Sequence, residues 1–369
     1  MSQEYFFKLF KYVLLFILCI LNTNPVAATS CRTPFGALGD QQPLSDCKPL
    51  LDFVHEYGSK MTVVQTKFLE MSFVNNTQRI ICCDLEFEPK RAFQSIGREI
   101  LRNQAESCGD NTRKRISFGS ESTFLAHPWS VLLIYSSGYK FQCGGTVITN
   151  RYVLTAAHCV TMQLVAVRLG EHNTDLLVDC ELDEMDQEHC LAPAIDVAIE
   201  RAIKHNHYSE ALSNSDIALL RLGQQIHFID SVKPICIPEY QGQEFQKRFG
   251  IIGGWGATEN SSFSNVHREA EIPIISRDSC QAVYKRRAVD ETKVCTRGAE
   301  GENTCKGDSG GPLTVRVEGH EDGTNRKFRY MQIGVISLGF RDCGVVKGTP
   351  AIYTNVAAFI DWIALHIEL

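Results

Sequence analysis

The sequence predicts an all-β domain from residue 116 onward, preceded by a small disulfide-linked domain, and three observations carry this reading. Short runs rich in strand formers, such as 131–135, 146–154 and 331–337, are punctuated by glycine and proline. One amphipathic helix closes the chain. It opens at Asn355 and sets Val356, Phe359, Ile360, Ile363 and Ile367 on one face. The third observation is length: 369 residues admit two domains, and the cysteine-bearing pattern changes near Cys108. There is no internal repeat and no low-complexity tract.

In chain order, Lys8 and Lys11 precede an apolar run, 12–21, and then Val26-Ala27-Ala28. This reads as a secretory leader over 1–28, cut after Ala28. The competing reading, a membrane anchor, needs a run of about 20 residues, roughly twice what is present. The segment 29–83 is a small domain with four cysteines. The segment 84–115 links it to the all-β domain, and its charged stretch, 84–107, carries Phe93, Ile96, Ile100 and Leu101 at helical spacing. A partly helical stretch and a flexible linker both fit it.

Of the 15 cysteines, Cys19 lies in the leader, which leaves an even number for full oxidation outside the cell. They are scattered and form no paired CxxC knuckles, so structural zinc is not expected. The net charge of −6 supplies no electrostatic attraction to nucleic acid or to an anionic membrane. Asn75-Asn76-Thr77 and Asn260-Ser261-Ser262 are sequons, so Asn75 and Asn260 are candidate glycan acceptors.

The chemistry is concentrated in three segments. Cys305-Lys306-Gly307-Asp308-Ser309-Gly310-Gly311-Pro312 places a serine among glycines that permit close backbone approach. Thr155-Ala156-Ala157-His158-Cys159 offers a base, and Asp216-Ile217-Ala218-Leu219-Leu220 offers an acid to orient it. A serine hydroxyl is a poor nucleophile at neutral pH. It needs a histidine to take its proton and a carboxylate to hold that histidine's tautomer. The order His, Asp, Ser distinguishes this arrangement from those of subtilisin and the α/β-hydrolases.

On these motifs, residues 116–369 resemble the trypsin/chymotrypsin family of serine proteases, and the whole chain resembles its arthropod clip-domain subfamily. The resemblance implies a chymotrypsin-like double β-barrel of two six-stranded antiparallel barrels with the active site between them. It also implies a C-terminal helix packed on the second barrel and a clip domain over 29–83. Carried over by position, Ser309 is the nucleophile, His158 the general base and then acid, and Asp216 its buried partner. The N–H groups of Gly307 and Ser309 form the oxyanion hole.

Arg113-Lys114-Arg115 precedes Ile116-Ser117-Phe118-Gly119. It resembles the family's zymogen cleavage site, cut after Arg115 so that the new Ile116 ammonium pairs with Asp308 and assembles the hole. Ser117-Phe118 departs from the usual Val-Gly.

The resemblance also implies the disulfides: Cys143 with Cys159, Cys280 with Cys295, Cys305 with Cys343, Cys108 with Cys236, and Cys180 with Cys190. In the clip domain it pairs Cys31 with Cys82 and Cys47 with Cys83. Gln41 and Ser72 then stand where the third bridge of a clip domain would be, and losing a bridge costs a small domain about 2 to 5 kcal/mol.

Glu171 and Asp179, with the carbonyls of Asn173 and Leu176, match the spacing of a loop that wraps Ca²⁺ in related clip proteases. A solvated acidic loop is the other reading, since Glu181, Asp183, Glu184, Asp186 and Glu188 follow. Catalysis itself requires no cofactor. Asn303 stands where trypsin-like members carry the aspartate at the floor of the primary pocket, and Gly339 and Ala351 map to its walls. Leu338 replaces the usual tryptophan beside Ser337. A buried guanidinium has no counter-charge at Asn303, so preference for Arg or Lys should be weakened.

The function implied is a secreted, extracellular zymogen endopeptidase of a proteolytic cascade of the innate-immunity or melanisation type. Its implied partners are an upstream trypsin-like activating protease, a downstream protein substrate and a serpin, with no nucleic acid and no membrane. A clip-domain homologue that binds without turnover is the alternative.

Overall fold

The computed structural model describes residues 30–104, 107–110, 120–138, 140–182, 186–210, 214–240, 245, 248–258, 261, 263–285, 288–298, 307–318, 328–338 and 348–368. The chain divides after Lys90 into two compact units. Among the described residues, no helix is long and apolar enough to cross a membrane.

The N-terminal unit holds β1 (Ser30–Arg32), β2 (Leu38–Pro43), α1 (Lys48–Tyr57), α2 (Val63–Ser72), β3 (Phe73–Asn75) and β4 (Ile80–Cys83). Its four strands form one sheet in the order β1-β2-β4-β3. Proline in the first turn of α1 lacks an N–H that the helix would leave unpaired anyway. A capping box starts α2: Gln65 N–H donates to the Thr62 hydroxyl at 3.1 Å, and Thr62 N–H donates to the Gln65 side chain at 2.9 Å. Disulfides join Cys31 to Cys82 and Cys47 to Cys83. Gln41 is exposed, opposite Cys82. Ser72 is buried and donates to the Phe68 carbonyl at 2.9 Å, so its hydroxyl is satisfied within its own helix.

The second unit begins with most of α3 (Pro89–Asn103) and continues through β5 (Ser120–Glu121). The helical alternative for the charged segment is therefore the one the chain adopts over 89–103.

The first barrel follows, with β6 (Ser130–Tyr135), β7 (Phe141–Val147), β8 (Tyr152–Thr155) and β9 (Leu164–Leu169). A hairpin of β10 (Cys180–Leu182) and β11 (Glu188–Cys190), cross-linked by Cys180–Cys190, stands apart before β12 (Ile195–Lys204) and β13 (Ala218–Leu222). The barrel closes in the order β12-β13-β8-β7-β6-β9. The strand-forming run 146–154 is two strands rather than one. Thr149 breaks it by accepting hydrogen bonds from the N–H groups of Arg151 and Tyr152, each at 3.1 Å. A hydroxyl that satisfies two backbone donors makes a turn out of residues whose pattern reads as strand.

The second barrel contains β14 (Phe249–Gly254), β15 (Arg268–Ile275), β16 (Lys293–Thr296), β17 (Pro312–Glu318), β18 (Phe328–Leu338) and β19 (Ala351–Asn355). The short helix α4 (Arg277–Gln281) lies between β15 and β16. Pairing of β14 with both β17 and β15 closes the six strands, and β5 adds to β15 as a seventh.

After β19, Asn355 caps a 3₁₀ turn by accepting from Ala357 N–H at 3.2 Å, and α5 (Ile360–His366) follows. The resemblance places this helix on the second barrel, and the structure differs. Val356, Phe359, Ile363 and Ile367 join the buried cluster of Val131, Leu133, Tyr152 and Leu219, which is the first barrel's core. The cause is the exit of β19 beside the first barrel, where the Thr354 hydroxyl donates to the Asp216 carbonyl at 2.8 Å.

Candidate active site

His158 lies in a 3₁₀ turn, Ala157–Cys159, immediately after β8, and the turn is tied down by Cys143–Cys159. Asp216 follows Ser215, which sits at φ +48°, and leads directly into β13. The two meet through a pair of bonds: His158 N–H donates to Asp216 Oδ1 at 3.0 Å, and Nδ1–H to Oδ2 at 2.8 Å. Asp216 is almost wholly buried (3% side-chain exposure), while His158 keeps 31%, so one face of the imidazole remains open for chemistry. An ionised carboxylate only accepts hydrogen bonds, so this geometry puts the neutral imidazole's proton on Nδ1 and leaves Nε2 as the base.

A third donor reaches the same carboxylate. Ser337, on β18 of the second barrel, donates its hydroxyl to Asp216 Oδ2 at 2.5 Å. Burial alone would raise the Asp216 pKa, but the hydrogen bonds and charge of His158, with the Ser337 hydroxyl, outweigh it and hold the carboxyl below its ordinary range. The roles of Ser337 and Thr354 have no local sequence signal, since each is a polar residue within an apolar strand.

The serine segment rests against the end of β8. Gly310 has φ +81°, and a Cβ there would overlap the Thr155 hydroxyl and the Gly144 carbonyl, so only glycine lets the loop lie this close. Gly144 N–H donates to the Ser309 carbonyl at 2.8 Å, and Gly310 N–H to the Ile336 carbonyl at 2.8 Å. These bonds fix Ser309 between the two barrels, on the strand end that leads to His158. Gly307 has φ +103°, with the Phe263 ring where a Cβ would lie.

Asp308 accepts from Gly256 N–H at 2.8 Å through Oδ1. A Cβ on either Gly254 or Gly256 would collide with its carboxylate, so this turn is a glycine cradle for it. Behind the cradle, the buried Trp255 donates its indole N–H to the His172 carbonyl at 3.0 Å. His267 packs edge-on against Trp255, with centroids 4.5 Å apart; Ser122 donates its hydroxyl to the His267 carbonyl at 3.1 Å and lies 2.9 Å from the ring Nδ1, within hydrogen-bond distance. Burial, with His127 and His172 nearby, holds the His267 pKa well below that of an ordinary histidine, so the ring is neutral. Its neighbour His127 pairs with the buried Glu269 at 2.5 Å.

Disulfides Cys108–Cys236 and Cys280–Cys295 complete the six among the described residues. Ala351 is fully buried at the start of β19. Arg115, Ile116, Asn303, Gly339, Asn260 and the pair Cys305 and Cys343 lie outside the described residues. Asn75 is exposed on β3.

In the acidic loop, the Glu171 side chain is shielded from solvent, and its pKa is raised by that burial and by the charge of Asp179, against the lowering effect of Arg168 at 3.3 Å. Asp179 accepts from Asn173 N–H through Oδ2 at 3.3 Å, while its Oδ1 is buried with no hydrogen-bond partner among the described residues. A buried, orphaned carboxylate oxygen beside a second carboxylate is a donor set that fits a hard cation.

Residues 116–363 match the protein-family model described as Trypsin. The chain belongs to the trypsin family of serine proteases. It is a serine endopeptidase of the clip-domain type. It is 35% identical to "CLIP domain-containing serine protease HP8" of Bombyx mori, over 95% of this chain and 96% of that one. It is 36% identical to "Spaetzle-processing enzyme" of Drosophila melanogaster, over 71% and 68% of the two chains. The crystal structure of the Drosophila Grass clip serine protease of the Toll pathway superposes with a TM-score of 0.64 and 30% identity. That match covers 91% of this clip protease and 96% of Grass.

Proposed function

We propose that this clip protease is a secreted zymogen which, once cut after Arg115, hydrolyses peptide bonds through an acyl-enzyme in an extracellular cascade. The observation that carries the reading is the buried Asp216 carboxylate bonded to His158 Nδ1 at 2.8 Å, beside a serine loop held against β8. In the first step Ser309 Oγ attacks the scissile carbonyl carbon while His158 Nε2 takes the hydroxyl proton. Asp216 stabilises the imidazolium that forms. The oxyanion is held by the N–H groups of Gly307 and Ser309, neither of which donates to a protein carbonyl among the described residues. The C–N bond then breaks as His158 returns the proton to the leaving amine. Water, deprotonated by the same imidazole, releases the acid and restores Ser309.

Cleavage frees the Ile116 ammonium, whose partner is the Asp308 carboxylate, already seated in the glycine cradle. Asn303 supplies no negative charge, so the primary pocket prefers apolar or uncharged polar side chains to Arg or Lys. Glu171 and Asp179, with the carbonyls of Asn173 and Leu176, hold a structural Ca²⁺ whose charge offsets theirs. Residues 1–28 direct export, and glycans are carried on Asn75 and Asn260. An upstream trypsin-like protease supplies the cut, a protein zymogen is the substrate, and a serpin ends the activity.

The test is labelling with a fluorophosphonate after activation. Wild type cut at Arg115 should label at Ser309, while Arg115→Gln and Ser309→Ala should not. Failure of the cut protein to label would make it a binding homologue instead, and full activity of Arg115→Gln would overturn the activation site.

A further inference from the structure

The helix α3 precedes the proposed cut, so after activation it belongs to the light chain, yet it is built into the catalytic unit. Phe93, Gly97 and Ile100 recur at helical spacing on one face. Phe93 and Ile100 are buried, and Ile100 joins the cluster that contains Phe359, Ile363 and Ile367. Gly97 sits so close to α5 that a Cβ would overlap the Ala364 carbonyl. Next to it, Arg98 donates to the Glu239 carbonyl at 2.6 Å and forms an ion pair with Asp361 on α5. Further along, Gly109 has φ +65° and donates to the Pro234 carbonyl at 2.8 Å, while Tyr330 N–H returns a bond to the Gly109 carbonyl at 2.9 Å. Buried side chains, a glycine-only backbone approach, an ion pair and backbone bonds thus accompany the Cys108–Cys236 bridge.

We propose that the face of α5 around Ala364 and Asp361, with the Glu239 carbonyl, is a docking seat for residues 91–103, and that it retains the light chain without a covalent bond after activation. The disulfide is then a second tether, and the clip domain stays with the activated protease under reducing conditions. Specificity comes from shape at Gly97 and from charge at Arg98, and the matching partner is an amphipathic helix with a glycine at the centre of its buried face.

The experiment uses the full chain with Cys108 and Cys236 both changed to Ser and a specific viral-protease site in place of residues 111–115. Its failure is thereby separate from any failure of Arg115 as the natural cut. After cleavage the light chain should co-elute with the catalytic chain in size exclusion at about 1 μM, a Kd no weaker than micromolar. In that background Gly97→Leu should weaken retention about 100-fold. Arg98→Asp and Asp361→Arg should each weaken retention, and the double swap should recover the ion-pair part of that loss but not the bond to the Glu239 carbonyl, which a carboxylate cannot donate. Dissociation of the unsubstituted light chain while the catalytic chain keeps its thermal transition would overturn the proposal. So would retention unaffected by Gly97→Leu, or a double swap that is retained no better than Arg98→Asp alone although the protein is folded.

Discussion

Ser337 donates its hydroxyl to the same oxygen of Asp216 that accepts from the His158 imidazole, at 2.5 Å against 2.8 Å. The second barrel therefore helps hold the charge of a carboxylate that belongs to the first. Ser337→Ala removes one charge-assisted bond from a buried anion, which costs about 1.5 to 3 kcal/mol. Asp216 has a depressed folded pKa, so its stabilising contribution is complete above the ordinary carboxylate range and is lost as pH falls through the folded value. In Ser337→Ala that loss should begin at higher pH. Urea unfolding from pH 7 to pH 3 measures it, and superimposable curves for the two proteins would count against the assignment.

The cradle around Asp308 predicts a separable defect. Gly256→Ala puts a methyl group into the Asp308 carboxylate and should displace it while the barrels remain folded. Activity should fall about 100-fold, the scale of losing one oxyanion donor. Active-site titration alongside a melting curve distinguishes this outcome from unfolding, and unchanged kcat/KM would show that the carboxylate's seat does not matter.

His267 predicts a pH dependence of the opposite chemical origin. It is buried among His127, His172, Trp255 and Ser122, with Glu269 bonded to His127, and its folded pKa is far below 6.5. Above about pH 6.5 folded and unfolded chains are both neutral there. Below it the unfolded chain takes up a proton that the folded ring refuses, so stability falls by about 1.4 kcal/mol per pH unit until the folded value is reached. His267→Asn, which keeps a polar side chain beside Ser122, should lose this slope. Equal slopes for both proteins between pH 6.5 and 5 would refute it.

Calcium should act through Asp179. At about ten times its Kd the ion adds about 1.4 kcal/mol of stability, and chelation removes it. Asp179→Asn should abolish the calcium response and also stabilise the ion-free protein, because it relieves the charge that raises the Glu171 pKa. Thermal unfolding with Ca²⁺ and with chelator reads both effects, and a variant that still responds would place the ion elsewhere.

Much of this protein was legible from residue types alone. The His158, Asp216 and Ser309 motifs and the all-β class are local signals, because chemistry and strand pattern restrict which residues stand at those spacings, whereas the disulfide pairing came from the family resemblance. Amphipathic periodicity likewise marked the face of the terminal helix. What lay beyond the sequence depends on which surfaces meet. The break at Thr149 depends on a hydroxyl that caps two donors, where propensity reads a strand. The terminal helix packs on the first barrel's core because β19 exits beside Asp216, and no local pattern encodes that exit. Ser337 and Thr354 serve Asp216 from β18 and β19, more than a hundred residues along the chain. The charged stretch 84–107 admitted both a helix and a flexible linker, and over 89–103 it is a helix. Only tertiary packing decided it, because the buried face of α3 is paid for by α5, and Gly97 makes sense only against the Ala364 carbonyl.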